Sequence, residues 1–354
     1  MATSKLRAAF PHAETPLIIN APMLGAAGAP LATEVHKAGG IGFIAAGFDF
    51  TPSSAQLTDL DRALAQAHAI LGTHASSALP LGVGFITSHD SAASFTSTAL
   101  PILLAHRVAA VWLFAPHPST KPHAAIIPAL RQHGILVFVQ VGNVAAAREA
   151  AADGADVLVA QGSDAGGHQY ARGCGVVALV PEIRALLDAE FPDRAVSVVA
   201  AGGIVEGRGV AAALALGAEA VVMGTRFVAT TEAASAQAHK DAIVATRDGA
   251  VNTWKHEFHD KLADNKLWKD GFDGRAIVGD IHREYHVLGG ATATVEESRA
   301  RLRTGWDEEA GKRMVGKWAG AGLGLVNEIK PAGEVVVEVR EAARERIREL
   351  AGLV

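Results

Sequence analysis

The chain has 354 residues and a single cysteine, Cys174. A lone cysteine excludes an internal disulfide and a zinc site built from thiolates, and it is typical of proteins from a reducing compartment. No run approaches the roughly 18 uninterrupted apolar residues that a membrane span requires, and the first residues contain no apolar stretch typical of an export signal. We therefore expect a cytoplasmic protein without a membrane partner.

The chain also lacks any block of basic residues. Lys and Arg number 32 against 37 for Asp and Glu, so the formal net charge is −5 and nucleic acid is not an expected partner. Apolar residues make up 49% and charged residues 19% of the chain, which is enough to bury a sizeable core. At this length the chain fits either one large α/β barrel or two domains.

Eight short apolar runs recur through the first two-thirds of the chain. They are continuous instead of alternating, as expected of parallel strands that helices cover on both faces. Ala-rich helical segments lie between them, and the starts are about 29 residues apart, close to the size of a βαβ repeat. A doubly wound open sheet gives the same local pattern, but the count of eight favours a TIM (β/α)8 barrel. The predicted strands are residues 17–21, 42–46, 81–86, 108–114, 135–141, 156–160, 196–200 and 220–223.

The composition changes after about residue 230. Four of the five tryptophans, Trp254, Trp268, Trp306 and Trp318, follow that point. We predict a barrel over residues 1–230 and an added helical C-terminal subdomain over residues 231–354. The aromatic residues could form a small core of their own, or part of the segment could cover the barrel mouth as a lid.

Glycine-rich turns follow two of the predicted strands. Gly202 and Gly203 come after the seventh strand, and Gly224 with Thr225 comes after the eighth. Glycines let backbone N–H groups approach an anion, and barrels often bind phosphate at these two loops. A third turn, residues 21–28 (APMLGAAG), lacks the spacing of a dinucleotide fingerprint. The two later turns predict a cofactor with one terminal phosphate.

The loop after the sixth predicted strand contains the candidate catalytic base. It reads QGSDAGGH over residues 161–168. Catalytic groups lie at the carboxyl ends of barrel strands, and imidazole exchanges protons near neutral pH. His168 is therefore the candidate base because of its place in the chain.

Together these segments resemble the nitronate monooxygenase family, formerly called 2-nitropropane dioxygenases. The resemblance extends over nearly the whole barrel and, through a late glycine-rich run, towards the C-terminus. It is carried by residues 21–23 (APM), 161–168 (QGSDAGGH), 201–204 (AGGI), 223–227 (MGTRF) and 318–325 (WAGAGLGL).

The resemblance implies an FMN enzyme that oxidises alkyl nitronates, and in some cases neutral nitroalkanes, with O2 to a carbonyl compound and nitrite. His168 would remove the α-proton of a neutral nitroalkane or steady the nitro group of a nitronate. The partners implied are the small nitro compound and O2, and a homodimer is the assembly considered. By resemblance, the phosphate would be held by Gly202, Gly203, Gly224 and Thr225, the ring and ribityl chain lined by Ala21, Met23, Gln140 and Gln161, and room beside the ring left by Gly166 and Gly167.

Two positions depart from the family pattern. Gln140 stands where some members have lysine, and Gly84 stands where relatives often have asparagine. A neutral amide at residue 140 would stabilise an anionic flavin less than an ammonium group would. We therefore expect a lower flavin reduction potential.

Alternative functions remain open at this point. NAD(P)H-dependent flavin reductases of the enoyl-acyl-carrier-protein or quinone type share the glycine-glycine-histidine loop, but the enoyl reductases typically have glutamate and serine where this chain has Asp164 and Ala165. A barrel that binds a sugar phosphate, or a noncatalytic flavin carrier, is the alternative from another class. Cys174 follows His168 and is interpreted as a bystander, not as the nucleophile of an IMP-dehydrogenase-like enzyme.

The sequence also contains pairs of histidines at helical spacing. His282 and His286 are four residues apart, and His256 and His259 are three apart. Neither pair has the His-Glu-x-x-His order of zinc peptidases. We expect surface histidines here and no metal site.

Overall fold

The computed structural model describes residues 5–74, 76–285, 294–304 and 317–353. Eight parallel strands form a curled sheet in the order β1-β9-β8-β6-β5-β4-β3-β2. These strands are β1 (Leu17–Asn20), β2 (Phe43–Gly47), β3 (Leu79–Ile86), β4 (Val108–Phe114), β5 (Leu136–Val141), β6 (Val157–Gln161), β8 (Ser197–Ala201) and β9 (Ala220–Met223). The predicted TIM-type barrel is confirmed, with each strand close to its expected position.

The first and second barrel strands are joined by a side chain. A parallel bridge links Ile19 to Ile41. The fully buried Asn20 then bonds the backbone of Phe43 twice: its Oδ1 accepts from the Phe43 N–H at 2.9 Å and its Nδ2 donates to the Phe43 carbonyl at 2.8 Å. An amide carries both a donor and an acceptor, so Asn20 replaces one unit of the ladder and closes the barrel.

Helices surround the barrel and connect its strands. α6 shows why they form where they do: Asn143 accepts from the Ala146 N–H at its start, and Gly154 ends it in the left-handed conformation. Two short 3-10 segments, Asp90–Ser94 and Ala321–Leu325, complete the connections. The helices are α1 (Lys5–Ala9), α2 (Ala29–Lys37), α3 (Ala55–Leu71), α4 (Phe95–His106), α5 (His123–Gln132), α6 (Val144–Asp153), α7 (Val176–Glu190), α8 (Gly207–Ala215), α9 (Thr225–Val228), α10 (Gln237–Ala245), α11 (Gly249–Asn252), α12 (Phe258–Ala263), α13 (Asp280–Tyr285), α14 (Val295–Thr304) and α15 (Ala332–Ala351).

The core has two layers. Outward-facing strand residues pack against the helices, and inward-facing residues such as Phe43, Trp112 and Phe138 fill the barrel interior. Leu6 and Phe10, from and just after α1, belong to the interior cluster. The filled interior leaves the carboxyl ends of the strands as the place for a cavity.

The C-terminal segment contains a small antiparallel sheet besides its helices. β10 (Thr253–His256), β11 (Phe272–Ile277) and β12 (Lys317–Trp318) pair in sequence order, and β11 also pairs with β7 (Gly167–Tyr170) from the barrel half of the chain. The sheet departs from the helical subdomain expected here. These strands are short, and β11 finds one of its partners about a hundred residues earlier, so no local pattern announces the sheet.

The aromatic residues of this segment divide between the two arrangements considered above. Trp254 and Tyr285 pack against the buried Phe258 in a small separate core, whereas Trp268 and Trp318 contact His168 at the barrel mouth. Trp306 lies outside the described residues. The domain boundary at residue 230 stays a prediction.

The last helix packs on the barrel. It begins at Ala332 and buries Val335, Val339 and Ala343, so one face of the helix is buried against the barrel although its sequence is rich in Arg and Glu. None of the described helices is both long and apolar enough to cross a bilayer.

Candidate active site

A cavity of about 700 Å³ opens at the carboxyl ends of the barrel strands. All eleven residues singled out from the sequence line it, although they come from five separate stretches of chain. They are Ala21, Met23, Gln140, Gln161, Gly166, Gly167, His168, Gly202, Gly203, Gly224 and Thr225. The structure therefore brings these residues together, while the roles assigned to them stay predictions.

The late glycine-rich run joins the turn at Thr225 to the loop that carries His168. The Gly320 N–H donates to Oγ1 of Thr225 at 2.9 Å, and the Ala321 N–H donates to the Asp164 carbonyl at 2.9 Å. A Cβ on Gly166 would lie 2.4 Å from the Gly320 nitrogen. Gly166 therefore lacks a side chain because residues 319–320 pass beside it, a reason that the sequence did not reveal.

Gly203 and Gly224 face different surroundings. Gly203 has a φ of +73°, and a Cβ there would lie 3.0 Å from Cβ of Asp164. A Cβ on Gly224 would meet only Sδ of Met23 at 3.6 Å and Cβ of Ala21 at 3.9 Å, which are ordinary contacts. Gly224 thus faces the cavity beside Ala21 and Met23. A side chain at residue 224 would take up space that a bound molecule needs.

A chain of hydrogen bonds crosses the cavity floor. Nε1 of Trp112 donates to Oε1 of Gln140 at 3.1 Å, and Nε2 of Gln140 donates to Oε1 of Gln161 at 2.7 Å. Nε2 of Gln161 donates to the His168 carbonyl at 3.1 Å. Because the indole can only donate, it sets the orientation of both amides. Each amide NH2 retains a second proton for a ligand.

The loop that carries His168 is held through its backbone carbonyls. Nε and Nη2 of Arg275 donate to the Ser163 carbonyl at 3.2 and 3.1 Å. Nε2 of the buried Gln169 donates to the Ala165 carbonyl at 2.8 Å. These bonds fix the loop between two strands and hence the place of the imidazole.

His168 is enclosed by groups from the C-terminal segment. Its Nε2 lies 2.9 and 3.0 Å from the two carboxylate oxygens of Asp260, in the first turn of α12. Its ring stacks on Trp268 with centroids 3.7 Å apart and contacts Trp318 at 4.5 Å. The side chains of His168 and Asp260 are only 13% and 12% exposed. The candidate base His168 therefore has a carboxylate partner, Asp260, and both lie among largely apolar groups.

Sequence reasoning missed Asp260 and did not connect Trp268 with the base. The two partners of the hydrogen bond are 92 residues apart. Asp260 stands in a short helix without a recognisable motif, so no signal in the sequence could have singled it out. The change in composition after residue 230 was the available hint for Trp268.

The expectation of surface histidines is wrong for His259 and His282. Both are buried and bonded to each other, with Nδ1 of His259 3.0 Å from Nε2 of His282. The Gly279 N–H donates to Nδ1 of His282, and Nε2 of His259 lies 2.9 Å from the Trp254 carbonyl. These partners satisfy both rings in the neutral form and explain their burial.

No metal cluster is found in the described part of the chain: no three His, Cys, Asp or Glu residues come together there in a way that could hold an ion. His286 lies outside the described residues. Cys174 does not line the cavity, and burial raises the pKa of its thiol. This agrees with its interpretation as a bystander.

Comparison with known proteins decides the family. The family model described as nitronate monooxygenase matches residues 9–341. The chain belongs to the nitronate monooxygenase family. It is 46% identical to a nitronate monooxygenase of Neurospora crassa over 99% of this chain and 94% of the relative. It is 36% identical to the nitronate monooxygenase npaC of Metarhizium robertsii, over 96% and 94% of the two chains.

Solved structures agree with the fold. FabK from Thermotoga maritima superimposes with a TM-score of 0.74 at 25% identity, over 100% of both chains. A nitroalkane oxidase from Streptomyces ansochromogenes superimposes with a TM-score of 0.73 at 25% identity, over 98% of this chain and 100% of that one. The resemblance recognised from the sequence is thereby confirmed, and the chain is an oxidoreductase of the nitronate monooxygenase family.

One of the two departures from the family pattern now has a structural reason. A Cβ on Gly84 would lie 2.3 Å from Cβ of Pro22. The proline ring occupies the space that a larger side chain at residue 84 would need. Gly84 therefore packs closely against Pro22, which leaves no room there for an asparagine side chain.

Proposed function

We propose that the protein oxidises alkyl nitronates and neutral nitroalkanes with O2, giving a carbonyl compound and nitrite, with FMN as its cofactor and His168 as its base. The single observation that carries the proposal is the placement of His168 on the same cavity as the two glycine turns and the two glutamines. Family membership supports the class of reaction.

The residues around the cavity fit an FMN molecule. Gly224 has open space on the cavity side, and the turn at Gly202 and Gly203 adjoins it, so this end would hold the phosphate. Gln140 and Gln161 would donate their remaining amide protons to the polar edge of the ring system. Met23 and Ala21 would line the ring and the ribityl chain. When bound, FMN supplies the acceptor for the electrons that the nitronate releases.

The protein itself needs to supply a positioned base. A nitro group delocalises charge from its α-carbon, so a correctly placed imidazole can remove the α-proton. Trp268 and Trp318 exclude water around His168 on two sides. The enclosure keeps the nitronate away from bulk water until it has reacted.

An assay with two substrates tests this proposal. The protein reconstituted with FMN is mixed with O2 and either nitroethane or ethyl nitronate, and O2 consumption and nitrite are measured. We expect both substrates to give nitrite. The His168→Asn variant should keep FMN and lose turnover of nitroethane by about 100-fold or more, while it retains more of the activity with preformed nitronate.

Anaerobic mixing with NADPH distinguishes the alternative reductase function. Reduction of the flavin by NADPH at a rate comparable with nitronate turnover would contradict the proposal. So would an enzyme that produces nitrite from neither nitro compound. A preparation that does not bind FMN would exclude both flavin functions. We also propose a cytoplasmic location, because the one cysteine of the chain leaves no internal disulfide to form.

A further inference from the structure

Asp260 is the carboxylate that faces the candidate base. It comes from α12, outside the barrel strands, and both of its oxygens lie within hydrogen-bond distance of Nε2 of His168. Nδ2 of Asn265 donates a longer hydrogen bond to Oδ1 of the same carboxylate, at 3.3 Å. Asp260 is therefore placed to act through His168.

An ionised carboxylate can only accept hydrogen bonds, so Nε2 of His168 must carry the proton in this pair. That leaves Nδ1 as the nitrogen with a free lone pair. Stacking on Trp268 keeps the ring from rotating away from Asp260. The pair thus selects one tautomer of the neutral imidazole and stabilises the imidazolium that forms once a proton is taken.

We propose that Asp260 is a positioning residue that makes His168 a base for neutral nitroalkanes. This inference rests on the proposed function. In the proton transfer the α C–H bond breaks, its electron pair moves into the nitro group, and the proton goes to Nδ1 of His168. The positive charge that appears on the imidazole is then balanced by the carboxylate 2.9 Å away.

The two substrates depend on the pair to different extents. A neutral nitroalkane has to lose its α-proton before it can be oxidised, whereas a preformed nitronate has already lost it. A change at Asp260 that acts through the base should therefore affect nitroethane far more than ethyl nitronate.

The other titratable groups around His168 do not compete with Asp260. Burial lowers the pKa of His259, the neighbour on α12, and that of His239 on α10, so both stay neutral near pH 7. On β11 the residue opposite His168 is Gly274, with Asp273 paired to Lys255 and Arg275 bonded to the Ser163 carbonyl. Residues 317–325 present the indole of Trp318 to the imidazole.

The Asp260→Asn variant tests the inference, with Glu257→Gln as its matched control. Glu257 precedes α12 directly and is exposed, so its substitution removes a carboxylate close by in the chain that does not face His168. For Asp260→Asn we expect kcat/KM for nitroethane to fall by about 100-fold, and the acidic limb of its pH profile to move about one unit lower. For ethyl nitronate, which needs no proton removal, we expect kcat/KM to stay close to that of the wild-type enzyme.

Three results would overturn the proposal. One is an Asp260→Asn enzyme that matches Glu257→Gln with nitroethane and keeps the wild-type pH profile. Another is an equal loss with both substrates in a variant that still binds FMN, since that shows a structural role alone. The third is a wild-type enzyme that oxidises ethyl nitronate but not nitroethane. Asp260→Glu should recover part of the nitroethane activity, and its pH profile provides a second measurement if Asp260→Asn folds poorly.

Failure of the proposed function gives a different result. In that case the wild-type enzyme produces nitrite from neither substrate, before any variant is compared.

Discussion

Gly274 lies directly opposite His168 across the β7–β11 ladder, and the space that its side chain would fill is occupied by the indole of Trp318. A Cβ on Gly274 would lie 2.5 Å from an atom of that six-membered ring. Trp318 contacts the His168 ring at 4.5 Å, so the absence of one side chain allows the base to be covered. The small antiparallel sheet thus contributes to the site in two ways: Trp318 contacts the imidazole, and the missing side chain at Gly274 gives Trp318 the space to do so.

Replacing Gly274 by valine should displace Trp318 and loosen His168. We expect kcat with nitroethane to fall by roughly 10- to 100-fold, because a shift of about 1 Å in a catalytic group is enough for such a loss. Steady-state kinetics and tryptophan fluorescence would measure the effect. Gly333→Ala is the control, since a Cβ there meets only ordinary contacts at the start of α15; similar losses in both variants would contradict the prediction.

Gly224→Ala should weaken FMN binding without unfolding the chain. The new methyl group makes ordinary contacts with Met23 and Ala21 but enters the space assigned to the cofactor. We expect Kd for FMN to rise by about 10-fold, or 1.4 kcal/mol, with little change in Tm of the apoprotein. Gly203→Ala is the comparison: its φ of +73° and the contact with Asp164 predict a lower Tm as well. Unchanged FMN affinity in Gly224→Ala would argue against the placement.

Gln140→Lys should raise the reduction potential of bound flavin by on the order of 30 mV, because a cation beside the ring stabilises its reduced anion. It should also destabilise the fold by about 1–3 kcal/mol, since the N–H of the buried Trp112 loses its acceptor. Potentiometry and urea unfolding measure the two effects. Adding Trp112→Phe removes the unpaired donor. The double variant should therefore lose less free energy of unfolding than the sum of the losses in the two single variants. Strictly additive losses would contradict the hydrogen bond between Trp112 and Gln140.

The free energy of unfolding should fall as the pH falls below 6.5. Burial lowers the pKa of His123 and of His282 from 6.5 to about 3. The unfolded chain therefore takes up protons on both imidazoles between pH 6.5 and about 3, while the folded chain does not, and the unfolded state gains stability across that window. Each histidine contributes a slope of up to about 1.4 kcal/mol per pH unit.

Urea unfolding at several pH values within that window measures the slope. His123→Gln should make it shallower, whereas His133→Gln, at an exposed position, should not. Equal slopes in all three proteins would show that His123 does not carry the effect.

The fold could be predicted largely from local pattern. Each barrel strand is a continuous apolar run bounded by helix signals such as Asn143 and Gly154, and these signals act over a few residues. The site was predictable as far as it depends on loops at the strand ends, where Gly203, Gly224 and His168 could be identified without coordinates.

The remainder of the site depends on contacts between distant parts of the chain. Gly166 adjoins Gly320, Gly274 admits Trp318, and the two buried histidines of the C-terminal segment satisfy each other. None of these pairs follows from spacing, because packing in three dimensions selects the partners.

The amino-acid order by itself determined an eight-stranded barrel with glycine turns and an imidazole at one end, because hydrophobic period and turn chemistry act locally. Only the tertiary structure decided which groups surround that imidazole. Asp260 is 92 residues away in the chain, and the fold alone brings it to 2.9 Å.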